Sequence, residues 1–272
     1  MREFIDLEAY LRRIDHVGAV APQLSTLRAL AIAHAAAIPF ENLNPLLGLP
    51  VSLEPAALAQ KLLHDGRGGY CFEQNLLFMA ALRAIGFEVY GLLARVLWMQ
   101  PEDSLTAQSH MLLRVELDGE TWLADVGFGG LTLTGALRLQ PEIEQPTAHE
   151  PFRLVLDSSD GDWRMQALVH EQWNTLYRFN LQPHFPIDFV VGNHYVSTHP
   201  DSRFVNELIV ARTLADRRLG LRNREFVVHR AGGSERRTLG SVAEIRQVLE
   251  NEFLIRLPQH PELDRRLGSL PA

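Results

Sequence analysis

The apolar period of this chain changes once, near Gly86, and that change limits the fold more than any other feature. Before it, apolar residues recur at helical spacing. Residues 3–14 place Phe4, Leu7, Leu11 and Ile14 on one face. Residues 23–37 are rich in Ala and Leu and stop ahead of Pro39, which disfavours helix in the residue before it. Residues 54–64 carry Pro55 near a helix start, then Leu58, Leu62 and Leu63. A further helix is predicted from about Cys71 to Ala84, with Gly86 as its stop. After Gly86 the pattern is that of strands. Residues 87–98 are β-branched and aromatic, and residues 110–117 and 120–126 flank Asp118-Gly119, a strong hairpin signal. Residues 152–157, 163–170 and 173–179 predict further short strands. The last part mixes strands near 204–212 and 225–229 with a helix at 241–252, for which Ser241 and Glu244 form a capping box. Helices, then antiparallel strands, then a mixed segment predict an α+β fold rather than a doubly wound parallel sheet.

Charge and composition narrow the function classes. The chain has 272 residues, enough for about two domains at ~150 residues each. Its formal charge is −7, and a protein that coats nucleic acid needs an excess of positive charge. Cys71 is the only cysteine, so no intrachain disulfide can form. Glu3, Asp6 and Glu8 break the apolar run a signal peptide requires. The longest weakly polar stretch, Ala29 to Phe40, is far shorter than the ~20 residues of a membrane span. A cytoplasmic protein without membrane or nucleic-acid partners is expected. A homo-oligomer is compatible with the sequence.

Chemistry concentrates around Cys71. The segment Arg67-Gly68-Gly69-Tyr70-Cys71 lies where a loop becomes a helix. Its glycines predict a tight turn and close approach to a ligand. A thiol in the first helical turn meets unpaired backbone N–H groups and the positive end of the helix dipole, which favour the reactive thiolate. A lone cysteine is otherwise a small buried hydrophobe, so the functional reading needs partners. A nucleophilic Cys requires a base, and the base an orienting group. The hairpin offers both. With Asp118-Gly119 as a two-residue turn, Leu117 faces Glu120 and Leu112 lies opposite Asp125. His110 and Asp125 then project from one face as diagonal neighbours, ~7–8 Å apart at Cα. Singly, His110 reads as a strand histidine and Asp125 as the cap of a turn; together with Cys71 they read as a triad.

Three other features are weaker. Gly127-Phe128-Gly129-Gly130 can offer backbone amides to phosphates, but it lacks the pattern of a P-loop or a dinucleotide fingerprint and reads more simply as a tight turn. The arginines between Arg212 and Arg237 alternate with Asp216, Glu225 and Glu235. They can attract phosphates, though a solvated, salt-bridged face is the simpler account. His194 and His199 are five apart with no third ligand nearby, so no metal is expected.

The motifs RGGYCFEQN at 67–75, SHMLLRV at 109–115 and LADVGFGG at 123–130 resemble those of the arylamine N-acetyltransferases. IPFENLN at 38–44 and STHPDSRF at 197–204 extend the match over most of the chain, in the family's order. The resemblance implies a papain-like thiol enzyme fold. It would comprise a helical bundle with the nucleophile (1–86), an antiparallel β-barrel with the His and Asp (87–190) and an α/β lid (191–272). It implies Cys71 as nucleophile, His110 as base and Asp125 as the group orienting the histidine. Acetyl-CoA would acetylate Cys71, and an arylamine, arylhydrazine or N-hydroxyarylamine would take the acetyl group in ping-pong fashion, as in xenobiotic metabolism. Phe40, Val96, Phe128 and Phe204 would line the acceptor pocket. Ser109, Gly129 and Gly130 would lie along CoA, and Glu41, Asn44 and Arg67 would form a supporting polar network. The same triad would also serve a thiol hydrolase of papain type or an amide synthase closing a macrolactam. A non-catalytic binding protein has no physical need for all three residues.

Overall fold

The computed structural model describes residues 5–271, so Glu3 and Phe4 lie outside the described residues. Helix α1 (Leu7–Arg13) starts where the Asp6 carboxylate accepts from the Ala9 amide at 2.9 Å, and it buries Tyr10. Helix α2 (Leu24–Ala37) gives way at Ile38, which is extended ahead of Pro39. The two-residue strand β1 (Phe40–Glu41) and the short helix α3 (Leu43–Leu46) follow. Helix α4 (Pro55–Ala59) begins on Pro55 and widens into a π-turn over Gln60–His64. Helix α5 (Cys71–Ile85) ends at Gly86, whose φ of +108° is the left-handed stop that glycine permits. Its Phe72 and Phe78 are fully buried, each worth ~1.5–3 kcal/mol of hydrophobic transfer.

Seven antiparallel strands come next: β2 (Glu88–Val96), β3 (Gln108–Leu117), β4 (Glu120–Ala124), β5 (Leu137–Arg138), β6 (Phe152–Leu156), β7 (Trp163–Val169) and β8 (Gln172–Phe179). Their order in the sheet is β5-β4-β3-β2-β8-β7-β6. The chain beyond β5 joins the two outer edges. Leu139 donates to the Thr121 carbonyl on β4 at 2.8 Å, and Gln145 exchanges both backbone bonds with Phe152 on β6. The sheet is thereby nearly closed into a barrel. Leu92, Leu112, Leu123, Leu154 and Met165 fill its interior. Met111, Leu113 and Val115 face the other way, onto the helices. Because β3 is covered on both faces, it reads as a continuous apolar run rather than an alternating one.

The hairpin between β3 and β4 has the predicted register. Leu117 pairs with Glu120 and Leu113 with Ala124. Asp118 and Gly119 have φ of +52° and +76°, a turn with both central residues left-handed.

Helix α6 (Pro186–Thr198) and the short helix α7 (Arg203–Asn206) lead into strands β9 (Ile209–Leu214), β10 (Arg217–Arg222), β11 (Glu225–Arg230) and β12 (Gly233–Thr238). Helices α8 (Val242–Asn251) and α9 (Leu263–Gly268) cover this sheet through Ile245, Leu249 and Leu267. The sheet order is β1-β9-β10-β11-β12, so Phe40 and Glu41 from the helical part form its edge, opposite Ala211 and Val210.

Several details depart from the expected pattern. Residues 203–206 are helical, because the Ser202 hydroxyl caps the turn, and the strand starts only at Ile209. Strands β10 and β12 give no apolar strand signal because half of their residues are charged. Helix α6 gives a weak apolar signal, since two of its buried positions are Asn193 and Ser197. The Ser241 hydroxyl does cap α8, but Glu244 accepts from the Gly240 amide rather than completing the box. Among the described residues no helix is long and apolar enough to cross a membrane.

Candidate active site

Cys71 is the first residue of α5 and is 3 % exposed. The helix start is fixed by Glu73, whose Oε2 accepts from the Tyr70 amide at 3.1 Å while its Oε1 binds Lys61 Nζ at 2.6 Å. Burial pushes the Glu73 pKa up, and Lys61 opposes that shift. The loop before the helix is held by backbone bonds. Gly69 donates to the Pro39 carbonyl at 3.2 Å, and its own carbonyl accepts from Glu41 at 3.1 Å. A side chain on Gly68 would put its Cβ 2.0 Å from the Pro39 oxygen. Gly68 thus permits close packing against the Pro39–Glu41 segment, and Gly69, whose Cβ would lie 2.7 Å from Glu73 Oε2, close packing against the helix start.

His110 comes from the start of β3, where the ladder to β2 slips. Ala94 pairs with His110 but Arg95 pairs with Gln108, which leaves Ser109 as the extra residue of a bulge. The Ser109 carbonyl sits 3.6 Å from Cys71 Sγ. His110 Nε2 meets Asp125 Oδ2 at 2.7 Å, and the Cys71 sulfur acts on the same imidazole electrostatically. The ring meets Phe128 edge to face and Tyr177 at a tilt, with centroids 5.2 and 4.8 Å away. Burial disfavours charge on the imidazole. The Asp125 carboxylate and the Cys71 sulfur outweigh it and push the His110 pKa up to about 10.

Asp125 follows the last residue of β4 and is buried. Both its oxygens are occupied. Oδ2 accepts from His110 and, at 3.0 Å, from the Tyr177 hydroxyl. Oδ1 accepts from Asn75 Nδ2 at 3.0 Å and from the Gly127 amide at 2.9 Å. Burial raises its pKa, but His110 and these donors lower it below the usual carboxylate range. A thiol, an imidazolium and an ionised carboxylate are thus brought together from three segments that the sequence separates. That arrangement can perform acyl transfer through a thioester.

Comparison with known proteins gives a concordant result. Residues 23–261 match the model of the N-acetyltransferase family. The arylamine N-acetyltransferase of Mycobacterium tuberculosis is 44 % identical over 98 % of this chain and 96 % of its own length. The chain belongs to the arylamine N-acetyltransferase family. A Salmonella typhimurium member, an arylamine N-acetyltransferase and N-hydroxyarylamine O-acetyltransferase, is 43 % identical over 91 % of this chain and 88 % of its own. The structure of the Mycobacterium marinum arylamine N-acetyltransferase in complex with CoA superposes with a TM-score of 0.93, at 41 % identity, over 97 % of this chain and 99 % of that one. The α+β architecture, with its barrel and helices, is that of these acetyltransferases.

The remaining positions singled out in this acetyltransferase fall into several contacts. Phe40 and Phe204 meet edge to face at 5.8 Å, and Tyr70 lies 5.2 Å from Phe204. Phe128 covers His110. Val96, half-buried, lies opposite Tyr177 and two residues beyond the partner of His110. Gly129, with φ of +87°, packs on the Phe40 ring, and Gly130 is exposed with open space beside it. Arg67 joins Glu41 at 2.7 Å and Asn44 at 3.0 Å, and Glu41 also caps the Leu43 amide. Among the described residues no group of three His, Cys, Asp or Glu side chains is arranged to hold a metal ion. The arginine stretch is largely paired, through Arg222 with Glu207 and Arg230 with Glu235.

Two contributors, Asn75 and Tyr177, were not singled out from the sequence, and Gly127 was read only as part of a turn. Asn75 stands one helical turn after Cys71, and its amide ties α5 to Asp125, to the Met111 carbonyl and to the Val126 amide. Its i+4 spacing from the cysteine is a usable signal. Gly127 lets the Asp125 loop pack against Cys71, since a Cβ there would lie 2.7 Å from Cys71 Cα. Tyr177 arrives from a strand far along the chain and carries no local signal.

Proposed function

We propose that Cys71, His110 and Asp125 carry out ping-pong transfer of an acetyl group from acetyl-CoA to an arylamine, arylhydrazine or N-hydroxyarylamine. The observation that carries this reading is the buried His110 imidazole, bound to the Asp125 carboxylate at 2.7 Å and next in the chain to Ser109, whose carbonyl lies 3.6 Å from the sulfur of Cys71. With its pKa at about 10, His110 is an imidazolium at neutral pH. Positive charge beside a sulfur is the setting in which thiols react as thiolates. Cys71 Sγ attacks the thioester carbonyl, and the Cys71 amide, unpaired in the first turn of α5, faces the oxyanion. The bond from the acetyl carbon to the CoA sulfur breaks, and His110 delivers its proton to that sulfur. The neutral imidazole then takes a proton from the attacking amine as the acetyl carbon leaves Cys71. The ion pair is restored.

An aromatic amine is uncharged at neutral pH, so a pocket of Phe40, Phe128, Phe204 and Val96 imposes no buried cation on it. Ser109, Gly129 and Gly130 are assigned to CoA. Glu41, Asn44 and Arg67 support the loop before the nucleophile. Of the domain limits 1–86, 87–190 and 191–272, the separate barrel core supports the middle one, whereas the 190/191 limit falls inside α6 and Leu43 and Leu46 pack into the core of the C-terminal sheet. A lone free thiol suits a reducing cytoplasm. The full-length relatives give no support to a thiol hydrolase or a macrolactam amide synthase.

Intact mass after brief mixing with acetyl-CoA, without amine, tests the mechanism. Wild type gains one acetyl group that an arylamine removes, and Cys71→Ala gains none. An adduct that persists in Cys71→Ala would place the nucleophile elsewhere.

A further inference from the structure

The loop that carries Gly129 and Gly130 is anchored from outside the active site by a buried arginine of the C-terminal sheet. Arg218, on β10, is 3 % exposed. Its Nη1 donates to the Thr132 carbonyl at 3.0 Å and to Thr213 Oγ1 at 3.1 Å. Its Nε and Nη2 grip the Glu150 carboxylate, the shorter contact being 2.6 Å. Thr132 in turn closes the glycine loop, with its amide and hydroxyl both donating to the Gly129 carbonyl at 3.1 and 2.8 Å. A second strap runs alongside. His149 reaches the Leu214 carbonyl at 2.8 Å with Nε2 and Thr134 Oγ1 at 3.2 Å with Nδ1. Lid strands and barrel loop are thus tied on both sides of the segment 129–134.

A planar guanidinium is suited to this task. It binds a carboxylate with two N–H groups and still directs a third at a fixed backbone oxygen. Burial makes the arrangement costly to break, because the Glu150 and Thr132 oxygens would lose their donor. Besides the ladder that runs from β10 through β9 and β1 to Gly69, Arg218 connects to Cys71 through the loop, which packs on Phe40 at Gly129 and on Cys71 at Gly127. We propose that Arg218, braced by Glu150, is a positioning residue for CoA, setting the Gly129–Gly130 backbone at the height the diphosphate needs. This rests on the assignment of that loop to CoA.

The test compares two acetyl donors. Acetyl-CoA uses the loop, whereas p-nitrophenyl acetate carries no phosphate and needs only the triad. For Arg218→Met the KM for acetyl-CoA rises about tenfold, while acylation of Cys71 by p-nitrophenyl acetate stays within about twofold of wild type. Arg218→Lys and Glu150→Gln, which keep the site filled, show the same split at smaller size and serve if the Met variant does not fold. An unchanged KM for acetyl-CoA in all three, or equal losses with both donors, overturns the proposal. Gly130→Val is measured alongside, because it crowds open space at the loop itself. If it leaves the KM for acetyl-CoA unaltered, the assignment of the loop to CoA falls. If it raises the KM while the Arg218 variants do not, only the positioning role falls.

Discussion

The junction of α5 with the barrel and the β11–β12 edge of the C-terminal sheet are both rich in charge, yet they use it in opposite ways. At the junction Asp125 takes four donors, and beside it, between β1 and the loop before α5, Arg67 and Glu41 are buried. Along β12 every residue is exposed, and Arg230 meets Glu235 in water. Salt bridges in solvent gain little, because water competes and mobile side chains must be ordered. Buried charges cannot be left unpaired, so each dictates the position of its partners. The difference shows that ion-pair number says little about a protein, whereas burial decides which pairs control geometry and chemistry.

Asp125→Asn breaks the contrast most severely. The amide cannot hold an imidazolium, and removal of such a carboxylate costs about 10⁴ in turnover. Without the carboxylate, burial dominates and the His110 pKa falls from about 10, which an NMR titration of the imidazole reads directly. The pair's stabilisation follows the same shift. Because the folded pKa of His110 exceeds the unfolded ~6.5, that contribution is complete near pH 6 and is lost as pH rises through about 10. Asp125, with a lowered folded pKa, loses its share instead on acidification below its unfolded value. A denaturant midpoint compared with Asp125→Asn from pH 6 to 10 shows the gap narrowing.

Arg67→Met leaves Glu41 buried without its partner and destabilises by about 3 kcal/mol in urea unfolding. A loss near zero would mean that this pair behaves like a surface one. Gly127→Ala tests packing rather than charge. Its Cβ would press on Cys71 Cα and Asn75, so about 1–3 kcal/mol is expected, with slower alkylation of Cys71 by iodoacetamide. Arg230→Ala, at the exposed edge, changes stability by less than about 0.5 kcal/mol and leaves turnover intact.

Local physics made much of this readable in advance. Helix α5 and its Gly86 stop follow from apolar spacing and left-handed glycine. The β3–β4 register follows from Asp118-Gly119, and that register places His110 and Asp125 on one face before any coordinates are known. Gly127 looked like an ordinary turn glycine, because its reason lies in Cys71, 56 positions away. The Arg67–Glu41–Asn44 network was reached only through family resemblance, since 23 residues or more separate Arg67 from its two partners.

Sequence periodicity, turn chemistry and the lone cysteine specify elements and the residues that do chemistry, since those depend on neighbours a few positions apart. Folding in three dimensions supplies their environment. It brings Tyr177 onto Asp125, seats β1 beside β9 and runs Arg218 to Thr132. These contacts join segments with no local reason to meet. They form because burying the apolar faces of helices and barrel leaves polar groups that must find partners wherever the packing puts them.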